Sequence, residues 1–295
     1  MEVTVRASAS AIESSAVDDR LAETLLACGA VSVTFRSFDA EEVLEPAPQT
    51  TPLWTRTALT GLFSLDADLA DIRGALGPDV EVAVAFLEER DWINQWQAHA
   101  TSLRFGDRLW IVPRSVAAGL RAEVDAFAGT ILRLDPGMAF GTGSHPSTRL
   151  CLEWLAGASL QRRSVLDYGC GSGVLAVAAS LLGAGTTVAV DHDPQALVST
   201  RDNANYNGAT LSSVVLPGAL DPDARFAVIV ANILANPLIE LAPRFVERLE
   251  PGGQVVLAGV LSTQGNEVMA AYPDIDFEEP VEVEGWIRLT GCLYG

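Results

Sequence analysis

Three glycines at alternate positions follow a short apolar run near the middle of the chain. The run Ser164–Tyr168 predicts a buried strand, and Gly169, Gly171 and Gly173 separate it from the apolar segment Val174–Leu182. Glycine lets the backbone turn sharply and approach a ligand closely, because no Cβ stands in the way. The helix predicted after the glycines would present free N–H groups and a positive dipole end. The sequence therefore predicts a ligand-binding loop between a strand and a helix of an α/β protein.

A carboxylate ends the next apolar run. Thr186–Val190 predicts a second strand, and Asp191 after it is placed to accept hydrogen bonds from ribose hydroxyls. The glycines are spaced Asp-x-Gly-x-Gly-x-Gly from Asp167, whereas dinucleotide-binding folds typically carry Gly-x-Gly-x-x-Gly. The spacing resembles the first motif of class I S-adenosylmethionine-dependent methyltransferases. A tight turn in some other doubly wound protein is the alternative interpretation.

Strands and helices continue to alternate after Asp191, which implies a parallel sheet with right-handed crossovers. Two short strands close the chain, and such a terminal hairpin fits a methyltransferase sheet, whose last strand is antiparallel. A plain dinucleotide-binding fold would more naturally add another strand and helix. The predicted elements are a helix over Pro194–Asn207, strands over Ser212–Leu216 and Phe226–Asn232, a helix over Asn236–Leu249, and strands over Gln254–Val260, Phe277–Val283 and Trp286–Tyr294.

The chain is predicted to have three parts. Residues 1–88 show the element order βαββαβ, which indicates a small α+β domain of ferredoxin-like arrangement. Residues 89–101, with Trp92 and Trp96 four positions apart, predict a connecting helix. Residues 102–295 form the α/β domain and begin with strands over Ser102–Val112 and Gly129–Leu134.

Two polar segments flank the predicted strands where ligands bind. The loop 135–148 precedes a helix that Pro146 would begin, and it either lines a ligand or supplies Ser144 or Ser147 as a helix cap. The strand Phe226–Ala231 runs into Asn232, Ile233 and Leu234. An Asn amide and backbone carbonyls at such a strand end can orient a substrate amine by accepting its hydrogens. The alternative is that the Asn caps the next helix.

The formal net charge is −19, and all nineteen basic residues are arginines. An acidic surface argues against direct nucleic-acid binding and favours a basic partner, although compositional drift would give the same balance. Four scattered cysteines indicate reduced thiols in a cytoplasmic protein, and three scattered histidines predict no metal site. With no leader-like start and no apolar run near ~20 residues, neither export nor a membrane span is expected.

Four stretches together resemble the ribosomal protein L11 methyltransferase family. They are Leu134–Leu152, Val165–Val177, Asp191–Gly208 and Ala231–Pro243, and with weaker similarities the resemblance covers residues 52–295. Carried over by position, it implies S-adenosylmethionine contacts at Thr148, Gly169, Asp191 and Asn232. The chain departs from the family at Pro113-Arg114-Ser115, where members tend to carry Pro-Ser-Trp.

The resemblance implies a ferredoxin-like recognition domain, a linker helix and a class I catalytic domain. It also implies methyl transfer to lysine side chains and the N-terminal amine of a large-subunit ribosomal protein. His145 is a possible proton acceptor, but water is expected to take the proton. The alternatives are an NAD-dependent oxidoreductase, which suits Asp191 but not the glycine spacing, and a non-catalytic S-adenosylmethionine-binding module.

Overall fold

The computed structural model describes residues 2–7, 15–37, 57–78, 80–86, 102–116, 118–134 and 145–294. Contacts divide the chain into two units, residues 1–91 and 92–295. The predicted linker helix over 89–101, its two tryptophans and the loop 135–144 lie outside the described residues. The predicted domain boundaries at 88 and 101 therefore stay predictions. In the described part, no helix has the length and apolar character needed to cross a membrane.

The described residues of unit 1 form four strands and two helices in the order βαββαβ. All strand pairs are antiparallel, and the sheet order β2-β3-β1-β4 is that of the predicted ferredoxin-like arrangement. The core lies between the helices and one face of the sheet, where Leu25, Leu59 and Ile72 are almost fully buried. The elements are β1 (Glu2–Ala7), α1 (Ser15–Ala27), β2 (Ser32–Ser37), β3 (Thr57–Leu62), α2 (Leu69–Leu76) and β4 (Val80–Ala85).

Unit 2 begins with a small three-stranded sheet that corrects the prediction for this region. The predicted single strand Ser102–Val112 is a hairpin of β5 (Leu103–Phe105) and β6 (Leu109–Val112), because the chain turns at Gly106, where φ is +55°. Helix α3 (Ala118–Asp125), which the sequence analysis missed, then crosses to β7 (Thr130–Arg133), parallel to β6.

The main sheet of unit 2 has the order β10-β9-β8-β11-β12-β15-β13, with β14 also paired to β15. The first five of these strands are parallel and β15 is antiparallel to β12, as predicted. The elements are α4 (Pro146–Gly157), β8 (Ser164–Tyr168), α5 (Val174–Leu181), β9 (Thr186–Val190), α6 (Pro194–Asn207), β10 (Ser213–Val215), β11 (Phe226–Asn232), α7 (Ala235–Arg248), β12 (Leu249–Leu261), α8 (Gly265–Ala270), β13 (Ile275–Phe277), β14 (Val281–Val283) and β15 (Trp286–Leu293).

Both faces of this sheet are covered, so its parallel strands are buried apolar runs. One core cluster includes Leu155, Val165 and Val177, and another includes Leu238 and Phe245. Parallel strands direct their carboxyl ends to the same edge of the sheet, where ligands of open α/β folds bind. The predicted site residues at the ends of β8, β9 and β11 therefore lie at this edge of the sheet.

Candidate active site

The glycine loop after β8 needs glycine at three positions. Gly169, Gly171 and Gly173 have φ values of +81°, +52° and +79°, a region that residues with a Cβ rarely adopt. A Cβ on Gly169 would overlap the side chain of Ile233, and one on Gly173 would lie 2.8 Å from Thr200 Oγ1. The loop is thus held close to the end of β11 on one side and to α6 on the other.

The N–H groups of the glycine loop are largely hydrogen-bonded within the protein. The N–H groups of Gly169 and Cys170 both donate to the Val190 carbonyl, at 2.8 and 3.0 Å. Gly171 N–H donates to Asp191 Oδ2 at 2.8 Å. Carboxylates and carbonyls of neighbouring strands satisfy these donors. The glycines therefore serve close backbone approach rather than N–H donation.

Two side chains of helix α6 donate hydrogen bonds to the glycine loop. Thr200 Oγ1 donates to the Gly171 carbonyl at 3.2 Å, and Asn203 Nδ2 donates to the Ser172 carbonyl at 2.8 Å. Thr200 and Asn203 are one helical turn apart and both are buried, so they present two polar groups to consecutive loop residues. The sequence analysis missed both residues.

Asp191 lies directly after β9 and is almost completely buried. Its Oδ2 accepts from Gly171 N–H, and its Oδ1 accepts from Asp193 N–H at 3.0 Å. A carboxylate has about four acceptor positions, so both oxygens keep capacity for a further donor such as a ribose hydroxyl. The two backbone bonds fix the direction in which this carboxylate faces.

Asp167 is a second buried carboxyl, three residues before Cys170 at the start of the glycine motif. Its Oδ2 accepts from Ala176 N–H at 2.9 Å, while its Oδ1 has no hydrogen-bond partner among the described residues. Burial raises the pKa of Asp167 to about 7, and the nearby charge of Asp191 adds to the effect. In the sequence, Asp167 was used only as the first residue of the Asp-x-Gly-x-Gly-x-Gly spacing. An acid two positions before the first glycine is itself a signal of a site residue.

A hydrogen bond joins two predicted cofactor residues that are far apart in sequence. Asn232 Nδ2 donates to Thr148 Oγ1 at 3.0 Å, linking the end of β11 to the first turn of α4. Thr148 is only 2% exposed. The bond assigns the amide orientation, with Nδ2 toward Thr148 and Oδ1 left as an acceptor.

The backbone after Asn232 passes close to β12. Ile233 N–H donates to the Ala258 carbonyl at 3.1 Å, and a Cβ on Gly259 would overlap the Ile233 carbonyl. Gly259 has φ +81°, so this close approach depends on a glycine inside a strand. The Leu234 carbonyl accepts from Leu238 N–H at 3.2 Å, in the first turn of α7. Of the two predicted carbonyl acceptors, that of Ile233 is the one without a hydrogen bond in the described part of the chain.

His145 caps helix α4, in place of Ser144 or Ser147. Its Nδ1 accepts from Ser147 N–H at 3.3 Å and lies 2.7 Å from Ser147 Oγ. The ring packs edge-on against Trp286, with centroids 4.7 Å apart, and burial lowers the pKa of His145. Burial thus favours the neutral form of the imidazole. Ser144 lies outside the described residues.

No group of three or more His, Cys, Asp or Glu side chains that could hold a metal ion occurs in the described ranges. All four cysteines are free, and those at 151 and 170 are buried. Burial raises the pKa of both buried thiols to about 12, so they stay protonated.

Comparison with known proteins identifies one family over nearly the whole chain. The family described as "Ribosomal protein L11 methyltransferase (PrmA)" matches residues 2–293. The match therefore includes residues 2–51, which lie outside the range that the sequence motifs cover.

Individual relatives carry the same description. The ribosomal protein L11 methyltransferases of Marinobacter nauticus and Pseudomonas aeruginosa are each 48% identical, over 92% and 91% of this chain and 93% and 92% of their own length. That of Methylococcus capsulatus is 46% identical over 93% of this chain and 96% of its length. The crystal structure of a ribosomal protein L11 methylase from Lactobacillus delbrueckii subsp. bulgaricus matches with a TM-score of 0.56 and 29% identity, covering 66% of this chain and 99% of that one.

Proposed function

This chain belongs to the ribosomal protein L11 methyltransferase family, and on that premise we propose that it methylates lysine side-chain and N-terminal amines of ribosomal protein L11. It is an S-adenosylmethionine-dependent methyltransferase of class I fold, as the sequence analysis predicts. Family membership disfavours an NAD-dependent oxidoreductase. A non-catalytic S-adenosylmethionine-binding module is disfavoured because the candidate substrate residues Asn232 and Ile233 lie beside the candidate cofactor residues.

The observation that carries the proposal is that the carboxyl ends of β8, β9 and β11 lie close together. The glycine loop after β8, Asp191 after β9 and Asn232 at the end of β11 lie at one edge of the sheet, and Ile233 packs against Gly169. These residues fit S-adenosylmethionine. The glycine loop packs directly against Ile233 and Thr200, and the buried carboxylate of Asp191, which keeps acceptor capacity on both oxygens, would hold the ribose hydroxyls. Thr148 and Asn232 would complete the cofactor site.

S-adenosylmethionine supplies a methyl group on a positively charged sulfur, which leaves as a neutral thioether. The leaving group needs no acid, so the main demand on the protein is alignment, worth up to ~7–11 kcal/mol. Asn232 Oδ1 and the Ile233 carbonyl are acceptors that would orient the hydrogens of the attacking amine. Because Asn232 Nδ2 is bonded to Thr148, its Oδ1 is held in one direction.

The amine must be neutral to attack. The ordinary pKa of a lysine side chain, ~10.4, lies about 3.4 units above pH 7, so deprotonating a free lysine at that pH costs ~4.6 kcal/mol. An α-amine has a pKa near ~7.7–8.0, so its deprotonation costs only ~1 kcal/mol. Desolvation beside a positive sulfonium would lower the pKa of the lysine. The Nδ1 of His145 is engaged with Ser147, and we assign the proton to water.

Recognition of the protein substrate is assigned to residues 1–88 and to the acidic surface. The net charge of −19 is complementary to a basic ribosomal protein. Unit 1 has its own core and its own sheet, which suits a separate recognition domain. A ribosomal protein substrate also supports the proposal of a cytoplasmic location.

The test is a methylation assay on purified ribosomal proteins. Radiolabelled S-adenosylmethionine, the wild-type chain and total ribosomal proteins should give one labelled band, which mass spectrometry should identify as L11 modified at lysines and the N-terminus. The variant Asn232→Ala is the control for contaminating activity. A labelled band that is not L11, or label on side chains other than amines, would refute the proposed substrate.

A further inference from the structure

A polar pocket lies in unit 2, at the ends of strands β6 and β7 and against helix α6. Its volume is about 250 Å³. We propose that it binds a phosphate group of an anionic ligand. The lining residues are Arg114, Val116, Arg121, Val124, Asp125, Arg133 and Tyr206.

The charge of this pocket is opposite to that of the protein. Three of its lining side chains are arginines and one is an aspartate, on a chain whose net charge is −19. In such a chain a concentration of guanidinium groups is a local exception. An anionic ligand would find favourable charge there and unfavourable charge over most of the surface.

Arg114 is held in place by its neighbours. Its Nη2 donates to Asn203 Oδ1 at 2.6 Å, and its guanidinium carbon lies 4.2 Å from the centre of the Tyr206 ring. Asn203 in turn donates to the Ser172 carbonyl of the glycine loop at 2.8 Å. A guanidinium fixed in this way loses little further freedom when it binds a ligand.

The other two arginines have unused donors. The guanidinium groups of Arg121 and Arg133 make no hydrogen bond or ion pair in the part of the chain that the structure describes. The backbone of Arg133 is nevertheless fixed, because its N–H and carbonyl bond to the Asn207 side chain at 2.6 and 2.9 Å. Two free guanidiniums beside a fixed one offer many N–H donors to a single anion.

Size and shape select the class of anion. A guanidinium group can donate two parallel hydrogen bonds to two oxygens of one phosphate, and arginine is therefore frequent in phosphate-binding sites. Pockets for drug-sized ligands measure about 300–1,000 Å³, so a pocket slightly below that range suits a phosphate or diphosphate. The phosphate could belong to a free metabolite or to an RNA backbone, and the experiment separates these sources.

The experiment is a calorimetric titration of the full chain with sodium pyrophosphate at low ionic strength, where charge interactions are least screened. One pyrophosphate per chain should bind saturably. Removing two charge-assisted contacts in the double variant Arg121→Gln/Arg133→Gln should weaken binding by at least about tenfold.

The matched control is Arg162→Gln, an exposed arginine that lines a different pocket, with Arg163, at the opposite edge of the main sheet. It removes one positive charge, as each of the single variants Arg121→Gln and Arg133→Gln does, and should leave pyrophosphate affinity unchanged. Absence of saturable binding to the wild type, or equal weakening by Arg162→Gln, would overturn the proposal. Unfolding temperature and S-adenosylmethionine affinity check that the double variant is folded. If it is not, Arg121→Gln and Arg133→Gln are tested singly, and each should weaken binding.

A competition arm identifies the source of the phosphate. A labelled single-stranded RNA of about ten nucleotides is titrated into the wild type and the double variant. RNA that binds the wild type, is displaced by pyrophosphate and fails to bind the double variant identifies RNA phosphates. Binding of a nucleoside diphosphate without binding of RNA identifies a free metabolite. Pyrophosphate binding that persists in the double variant overturns both.

Discussion

Asn232 Nδ2 lies 3.0 Å from Thr148 Oγ1, so the last residue of β11 is tied to the first turn of α4 across 84 positions of sequence. This bond determines which end of the Asn232 amide faces the site. It also connects a residue assigned to the cofactor with one assigned to the attacking amine. The first two predictions follow from it.

The substitution Thr148→Val should slow methyl transfer with little change in fold. Valine keeps the shape of threonine but removes the acceptor, and an unpaired buried amide N–H costs about 1–3 kcal/mol, which would favour reorientation of Asn232. The single-turnover rate should fall by about tenfold or more. Thr148→Ser, which retains the hydroxyl, is the control and should keep most of the rate. Equal rates for valine and serine would remove Thr148 from the alignment role.

The substitution Asn232→Ala should lower the methyl-transfer rate by more than it lowers S-adenosylmethionine affinity. An interaction that aligns the amine acts in the transition state, and its loss is seen in turnover. Single-turnover rates at saturating cofactor, with affinity from calorimetry, separate the two effects. Full recovery of the rate at saturation would leave Asn232 as a cofactor contact alone. In a double-mutant cycle with Thr148→Val, the two losses should be strongly non-additive.

Removal of the Asp191 carboxylate should weaken cofactor binding. Asp191→Ala would lose the ribose acceptors and leave Gly171 N–H unpaired, so we expect S-adenosylmethionine affinity to fall by ~1–3 kcal/mol in calorimetry. Asp193→Ala is the matched control, because Asp193 caps α6 through Gln195 N–H at 2.8 Å. That variant should lose ~1 kcal/mol of stability and keep its cofactor affinity. Comparable affinity losses in the two variants would contradict the ribose assignment.

Residues 1–88 are predicted to recognise the protein substrate and to contribute little to the cofactor site. A chain that begins at Glu89 retains every described residue of unit 2, including its two large core clusters. It should bind S-adenosylmethionine with nearly wild-type affinity and fail to methylate L11. Methylation at the wild-type rate by the shortened chain would show that recognition lies in unit 2.

Much of the main sheet could be predicted from sequence, because buried parallel strands are continuous apolar runs bounded by glycine or a polar residue. The bounds Ser164–Tyr168, Thr186–Val190 and Phe226–Asn232 agree with the structure. The hairpin within 102–112 was missed because apolar residues on both sides of Gly106 concealed the turn. Helix α3 was missed because it is short and, in its described side chains, buries little beyond Val124.

Some residues of the candidate site could likewise be predicted from sequence, and others could not. The glycines and Asp191 could be located from local spacing, since positive φ and a strand-end carboxylate are properties of single positions. The contacts of Thr200 and Asn203 with the glycine loop could not, because they depend on how α6 packs about 30 residues away. The same is true of Gly259, whose need for glycine arises from the Ile233 backbone passing beside β12.

Asp167 should make the stability of the protein depend on pH in a direction opposite to that of a salt-bridged acid. Its pKa is about 7 in the folded chain, against an ordinary value of 3.8, so between these values the folded state holds a proton that the unfolded state has released. Its stabilising contribution is therefore complete below pH 3.8 and falls as pH rises toward 7. Above 7 no further change is expected.

The measurement is urea unfolding of the wild type and Asp167→Asn at pH 5 and pH 7.5. Asparagine keeps an acceptor for Ala176 N–H but cannot ionise, so it serves as the non-titrating reference. The wild type should lose free energy of unfolding relative to the variant between the two pH values. Subtracting the variant removes the contribution of the other acidic groups, which titrate in both proteins. A constant difference between wild type and variant would mean that Asp167 is already ionised at pH 5 despite its burial.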